Sequence, residues 1–411
     1  MKATLLAGAA GVTFVAAACE AHAQSDAQTA AMASFNRSPP LGYERQGMRV
    51  GSTTVFPELR IGAIADSNVF ATSSNAEEDV VGLIEPSIAL ANRSAKLDFS
   101  ANAYGGFRRY FENDNENVET FGANAKIGYR ASNVHSASVA AGYDRGFQRR
   151  YDPERNANFT IPPTLIDSFW GETGYLYRPG RLGLGATAGV FKSNYKDPID
   201  DERDLTSYRA SARALIGASS RVDLFAEGYG VWRDFRLPVD LSGVNRDGET
   251  YGATAGVAVD ITDKLTGDFG IGYFKAGFDD PTLQDFSGLG FNGSISWRPQ
   301  ARSAIVIDAF RGDVATNRTG ASGRIDTRGS IKLFQEIRHN LRGRLEIGYR
   351  HGEFRRSGLT QDDLTAGAAV EFLFNRHLAA ELGYNFRDRD ASIALDEFTT
   401  HQATLSLVVR Y

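Results

Sequence analysis

Leu405-Ser406-Leu407-Val408-Val409-Arg410-Tyr411 ends the chain. In an extended segment successive side chains point to opposite faces, so Leu405, Leu407, Val409 and Tyr411 share one side and Ser406, Val408 and Arg410 the other. A bilayer gives such an apolar row, finished by an aromatic, a physical meaning. Its core holds no water for unpaired backbone groups, so a β-protein crosses it only as a closed barrel that shows alternate residues to lipid. The stretch therefore predicts a final membrane-spanning strand. Leu405, Leu407, Val409 and Tyr411 are expected to serve as the assembly signal read by the barrel-assembly machinery.

The same period recurs upstream. Phe121, Ala123, Ala125, Ile127 and Tyr129 alternate with Gly122, Asn124, Lys126, Gly128 and Arg130. In Leu341 to Arg350, the residues Leu341, Leu345, Ile347 and Tyr349 oppose Arg342, Arg344, Glu346 and Arg350. In Leu378 to Arg389, the residues Leu378, Ala380, Leu382, Tyr384 and Phe386 oppose Glu381, Asn385, Arg387 and Arg389. A soluble sandwich alternates too, but its connections have no reason to sort by length. Here they do. Short ones fall at Ala91–Ser94, Ala131–Asn133, Pro179-Gly180, Ala218–Ser220, Thr262–Lys264, Pro299-Gln300, Arg338–Asn340 and Asn375-Arg376. Longer polar ones fall at 70–79, 111–117, 150–166, 194–204, 235–248, 277–286, 311–323, 353–362 and 388–397. Tight periplasmic turns and long extracellular loops are the asymmetry of outer-membrane barrels, and this tally predicts an all-β, antiparallel up-and-down barrel of about 18 strands with both ends periplasmic.

Aromatics sort by strand direction as well. Gly-Tyr pairs at Tyr143, Tyr229, Tyr273, Tyr349 and Tyr384 stand about eight residues above a turn, and Tyr129, Tyr177, Trp297, Phe374 and Tyr411 stand next to one. Eight residues of a strand tilted about 45° climb roughly 20 Å, near the height of the apolar band, so the two sets are expected to form two girdles.

Bulk composition agrees. Among 411 residues, 43 Gly, 26 Phe and 16 Tyr against three Met favour strands over a helix-packed core. Mean hydropathy is -0.30, and only the first twenty-odd residues approach the run of about 20 apolar residues a membrane helix needs. A net charge of -5 without a clustered basic face argues against nucleic acid as a partner.

Lys2, the apolar stretch Ala3 to Ala18 and the small-x-small site Ala21-His22-Ala23 read as a cleaved secretion signal over residues 1–23. The only cysteine, Cys19, falls within it, leaving no disulfide or thiolate metal site. Ala16-Ala17-Ala18-Cys19 loosely matches a lipoprotein box, a weaker reading because Ala stands where Leu is usual. Residues 24–54, broken by Pro39-Pro40 and Gly42, read as a short disordered periplasmic leader, and 55–411 as the barrel.

The passage Gln46-Gly47-Met48-Arg49-Val50-Gly51-Ser52, Phe56-Pro57-Glu58-Leu59 and Asp66-Ser67-Asn68-Val69-Phe70, followed by Asp79 to Ile88, resembles the opening of the β-barrel porins of Proteobacteria that often accompany exopolysaccharide gene clusters. Asp66-Ser67 departs from the paired acidic residues common there. The resemblance implies an outer-membrane, pore-like protein linked to surface polysaccharide, and it brings no catalytic residues.

Enzymatic signals are weak. No Gly-x-Ser-x-Gly elbow exists, and no histidine sits beside a serine in a hydrolase motif. Gly288-Leu289-Gly290-Phe291-Asn292-Gly293 fits a dinucleotide pattern but lies in an alternating strand with no helix after it, so no cofactor is expected. The acidic runs Asp197, Asp200, Asp201, Glu202, Asp204 and Glu112, Asp114, Glu116 read as hydrated loop surface rather than as a divalent cation site.

The inward faces carry the interest. Lys126, Arg130, Arg209, Arg213, Arg342, Arg344, Arg350, Arg387 and Arg389 are opposed by Asp98, Glu172, Asp268, Glu346, Glu371 and Glu381, predicting a lumen lined by mixed charge. The expected function is a porin-like channel for hydrophilic solutes or exopolysaccharide in the outer membrane, among lipid and lipopolysaccharide. The rival is a non-conducting scaffold that binds polysaccharide-export partners through its loops. Loops 150–166 and 235–248 are long enough to fold inward.

Overall fold

In the computed structural model, residues 42–154, 161–261 and 264–411 are described. The expected signal with Cys19, and the expected leader as far as residue 41, lie outside the described residues.

A short strand, β1 (Met48–Val50), turns at Gly51 and pairs back on β2 (Thr53–Asp66). Gly51 sits at φ +63°, a left-handed conformation that favours glycine. The wall continues through β3 (Asp79–Arg93), β4 (Leu97–Tyr110), β5 (Val118–Arg130), β6 (His135–Phe147), β7 (Leu165–Tyr177), β8 (Leu182–Tyr195), β9 (Leu205–Gly217) and β10 (Val222–Phe235). It goes on through β11 (Gly248–Ile261), β12 (Leu265–Phe278), β13 (Phe286–Trp297), β14 (Ser303–Val314), β15 (Arg324–Arg338), β16 (Leu341–Phe354), β17 (Leu359–Leu373), β18 (Leu378–Ala391) and β19 (Phe398–Arg410). Each strand from β2 on pairs antiparallel with the next, and β19 pairs with β2 in the register Leu405↔Ala63. The result is the expected closed barrel of 18 strands, with no free edge to leave backbone groups unpaired in lipid.

Long connections gather on one rim and short turns on the other. Two expectations fail. The end of the expected disordered leader is ordered instead: Tyr43 packs inside the barrel, Arg45 meets Glu58 at 2.9 Å, and β1 and the start of β2 fall before residue 55. The chain over 353–362 is not a long loop, because β16 runs to Phe354 and β17 starts at Leu359, leaving the four-residue turn Arg355–Gly358. Gly358 and Arg356 both take positive φ there. The polar composition misleads because these strands rise past the level of lipid, where both faces are wet.

Outward-facing apolar residues are exposed along the wall, among them Ile271, Ile347, Leu382, Leu405, Leu407 and Val409. Inside, apolar contact is confined to patches. Leu373, Ala379 and Val408 pack together at the short-turn end with Tyr43 from the segment preceding β1, and Phe274, Ala276, Phe286 and Ile325 cluster nearer the long-loop end.

Candidate functional site

Strand parity places all the anticipated lumen residues on the inner face. Arg213 reaches Glu227 at 2.6 Å on β10 and Asp268 at 3.0 Å on β12. Arg130 meets Asp98 at 3.2 Å, Glu346 meets Lys332 at 3.5 Å, and Glu381 meets Arg60 at 3.1 Å. Arg342 lies 3.8 Å from Glu371, which also holds Arg410 at 3.0 Å. Arg209 stacks on Tyr229, 4.9 Å from guanidinium to ring centre. Lys126 and Arg344 share the inner face with these pairs, Lys126 exposed within it.

The girdle residues face outward. Tyr129, Tyr177, Tyr273, Trp297, Tyr349, Tyr384 and Tyr411 are exposed, and Tyr143 packs between Phe169 and Phe121 at 4.7 and 5.9 Å between ring centres. Histidines join them: His135 stacks on Tyr177 at 5.0 Å, and the Tyr384 hydroxyl lies 2.7 Å from His401 Nδ1. Tyr229 is the exception, because it points inward. It shares the parity of Phe225 and Glu227, and its ring lies over Gly252, where any Cβ would stand 2.4 Å from it.

Two segments enter the barrel from the long-loop rim. The first is the connection from β6 to β7, anchored by Gln148 and Arg150. Arg150 Nε donates to Glu116 Oε2 at 3.0 Å, while Gln148 Oε1 accepts from Arg203 at 3.0 Å. The segment then crosses to the far wall. There Arg389 of β18 donates to the Tyr151 carbonyl at 2.8 Å, and Gln361 of β17 to the Pro153 carbonyl at 3.4 Å. Glu154 Oε1 accepts from Arg324 Nη1 of β15 at 2.8 Å and from the Thr316 hydroxyl at 2.7 Å.

The second is the upper end of the β14–β15 hairpin. β13 pairs with β14 only from Trp297↔Ile305 up to Phe291↔Arg311, although β13 pairs with β12 as far as Phe286. Above Arg311 the hairpin leans in. Asp313 accepts from Arg233 of β10 at 2.6 Å and from Thr250 of β11 at 2.7 Å, while Ile325 joins the cluster around Phe274 and Phe286. The two segments meet at Glu154, Thr316 and Arg324.

Beside that junction the far wall carries a dense ionic cluster. Asp326 lies 3.0 Å from Arg324 and 3.4 Å from Arg350, and Asp363 holds Arg350 at 2.6 Å and Arg389 at 2.7 Å. Arg324 and Asp326 are fully buried, at 0% exposure. Burying charge costs several kcal/mol per ion unless each is paired and hydrogen-bonded, so a set this interconnected is held as a unit. The constriction thus lies in the long-loop half.

Glu112 and Asp114 are exposed, as expected of hydrated loop surface. Glu116, Asp200 and Asp204, contrary to expectation, are buried and tie loops together, Asp200 through Thr164 at 2.8 Å and Asp204 through Arg236 at 3.0 Å. Asp240 is buried too and folds the 236–247 connection on itself, accepting from Ser242, Val244 and Arg246. Burial pushes its carboxyl up, but the Ser242 hydroxyl, the Val244 amide and Arg246 outweigh that and hold it below the usual range.

Sequence reading missed Tyr151, Glu154, Arg324, Asp326 and Asp363. Arg324 and Asp326 flank Ile325 at the period of a strand and were within reach, whereas Asp363 follows Asp362 and Gln361, where the alternation is broken. Tyr151 and Glu154 sit in an aperiodic loop that gives no such signal.

Among curated proteins none matches the chain. Solved structures that resemble it include the outer membrane protein OpdK of Pseudomonas aeruginosa, at 12% identity and TM-score 0.45 over 87% of this chain and 99% of that one. OccAB4 of Acinetobacter baumannii aligns at 10% identity and TM-score 0.44, over 89% of this chain and 99% of that one. The FrpB iron transporter of Neisseria meningitidis, F5-1 variant, aligns at 10% identity and TM-score 0.45, over 86% and 82%. A family model provides the assignment independently: it matches residues 39–411, which takes in the whole wall from β1 to the terminal aromatic, and this outer-membrane barrel belongs to the family described as "Putative beta-barrel porin 2".

Proposed function

We propose that the protein is a passive channel for small hydrophilic solutes across the Gram-negative outer membrane, surrounded by lipid and lipopolysaccharide and inserted by the barrel-assembly machinery through Leu405, Leu407, Val409 and Tyr411. The inner wall carries the reading. Closed barrels of roughly 16–18 strands leave room for water, and rings of opposed charge within them set which solutes pass. Its chemistry is passage rather than turnover, and no side chain is assigned a catalytic step. The β6–β7 segment narrows the path, so small solutes suit it better than an exopolysaccharide chain, which would need that segment displaced. Stepwise conductance of the purified barrel in planar bilayers is the expected result. A correctly folded preparation that never conducts would end the proposal.

One observation favours the rival reading, a non-conducting scaffold that meets polysaccharide-export partners through its loops. Arg324, Asp326 and Gln361 are buried to 1% exposure or less in the lumen. Deleting residues 150–163 separates the two. A scaffold with a filled mouth stays silent until the loop is removed, whereas a channel conducts before and conducts more after.

A further inference from the structure

Most inner-face arginines have a carboxylate partner. Three near the crossing segment do not: among the described residues, no acidic group forms an ion pair with Arg108 of β4, Arg149 at the entry of the segment or Arg387 of β18. All three nonetheless converge. The Arg387 guanidinium lies 3.9 Å from the centre of the Tyr151 ring and that of Arg149 lies 5.6 Å from it, with Arg149 also donating to the Tyr151 hydroxyl. Arg108 and Arg149 stand 5.6 and 5.9 Å from the centre of the Phe147 ring. The neighbouring acid, Asp152, accepts the Arg149 backbone amide at 2.9 Å through Oδ2 and also acts on the Arg149 charge.

Three guanidinium groups thus stand beside one carboxylate, and the excess positive charge bears on the Tyr151 phenol. Burial pushes its pKa up, yet Arg149, Arg387 and Arg108 together bring it below its ordinary value. The arginines remain within reach of solute. Arg149 is exposed although it lies in the barrel, and Arg108 and Arg387 are half-buried. Guanidinium groups present planar forks that match a carboxylate, and such charge-assisted bonds are the stronger class.

We propose that Arg108, Arg149 and Arg387, gathered around Tyr151 and Phe147 at the constriction, form a binding site for the carboxylate of a small hydrophilic solute. The site rests on the channel reading only for its place on a solute path. It makes the preferred cargo anionic, captured where the lumen is narrowest.

Glucuronate and glucose test it, because they differ in a carboxylate and little else. Calorimetry on the detergent-solubilised barrel is expected to show glucuronate binding and no heat from glucose. Arg149→Gln, at an exposed position where folding is safest, is expected to weaken binding about tenfold, as is usual for a lost charge-assisted bond, and Arg387→Gln likewise. Arg387→Lys keeps the charge but loses the planar fork, so it is expected to bind glucuronate more weakly than wild type and more tightly than Arg387→Gln. No glucuronate binding, or equal binding in wild type and Arg149→Gln, overturns the site. Conductance reports separately: a barrel that binds glucuronate but never conducts sinks the channel and spares the site, and one that conducts without binding does the reverse.

Discussion

Glu154 and Arg324 are 170 residues apart in sequence, yet their side chains join at 2.8 Å inside the barrel. One comes from a connection rooted on β6 and β7, the other from the opposite wall at β15. A bond across the diameter fixes where the path is narrow and makes the narrowing a property of one loop's attachment.

Glu154→Ala removes an acceptor from Arg324 and from Thr316 together. Arg324 keeps Asp326, so the expected loss is about 1–3 kcal/mol of local stability, the cost of leaving buried donors unsatisfied. Faster hydrogen exchange over 148–154 and a larger unitary conductance are expected. Unchanged exchange would show that Arg389 and Gln361 hold the segment unaided.

Ile271 lies mid-strand on β12 and is exposed on the outer face. Ile271→Arg is expected to destabilise the barrel by about 2–4 kcal/mol, as for a charge facing lipid at the midplane. Equilibrium refolding into liposomes across a urea gradient measures it. A cost near zero would mean that this face does not meet lipid.

The Asp240 carboxyl titrates below its ordinary value in the folded loop. A depressed folded pKa contributes stability that is fully present above the unfolded value, about 4, and is lost as pH falls through the folded value. The 236–247 loop should therefore resist protease at neutral pH and become susceptible below about pH 4, where the ordinary carboxylate range ends. Asp240→Asn should show that susceptibility at neutral pH.

Replacing Tyr411 by Ser is expected to lower the amount of folded, heat-modifiable barrel in cells without changing the melting of the purified protein. Equal cellular levels would remove the terminal strand's role as an assembly signal.

What the sequence revealed and what it hid follow from the solvent. Lipid imposes a period of two on every spanning segment, so the strand number and the outward faces of Leu345, Tyr384 and Leu405 were readable residue by residue. Tyr229 was mis-sorted because spacing from a turn was weighed above parity, and parity with Phe225 and Glu227 turns it inward. The 353–362 stretch read as loop because no lipid constrains it. Loop 150–166 was legible as long enough to fold inward, but its partners were not: nothing near Tyr151 or Glu154 in sequence announces β15, β17 and β18. Only the sum of the barrel's geometry puts them within a bond's length.

Nine residue pairs, from Gln402↔Asp66 to Arg410↔Glu58, join the last strand to the first of the ring. Every other junction links neighbours along the chain and needs only a short piece of it. This one waits on the final residues to be made. Until then the polypeptide is a ribbon with two bare margins, a form no bilayer tolerates. Membrane residence is therefore decided by the entire chain at once, and a ribosome that stops even one strand early makes nothing the membrane can keep.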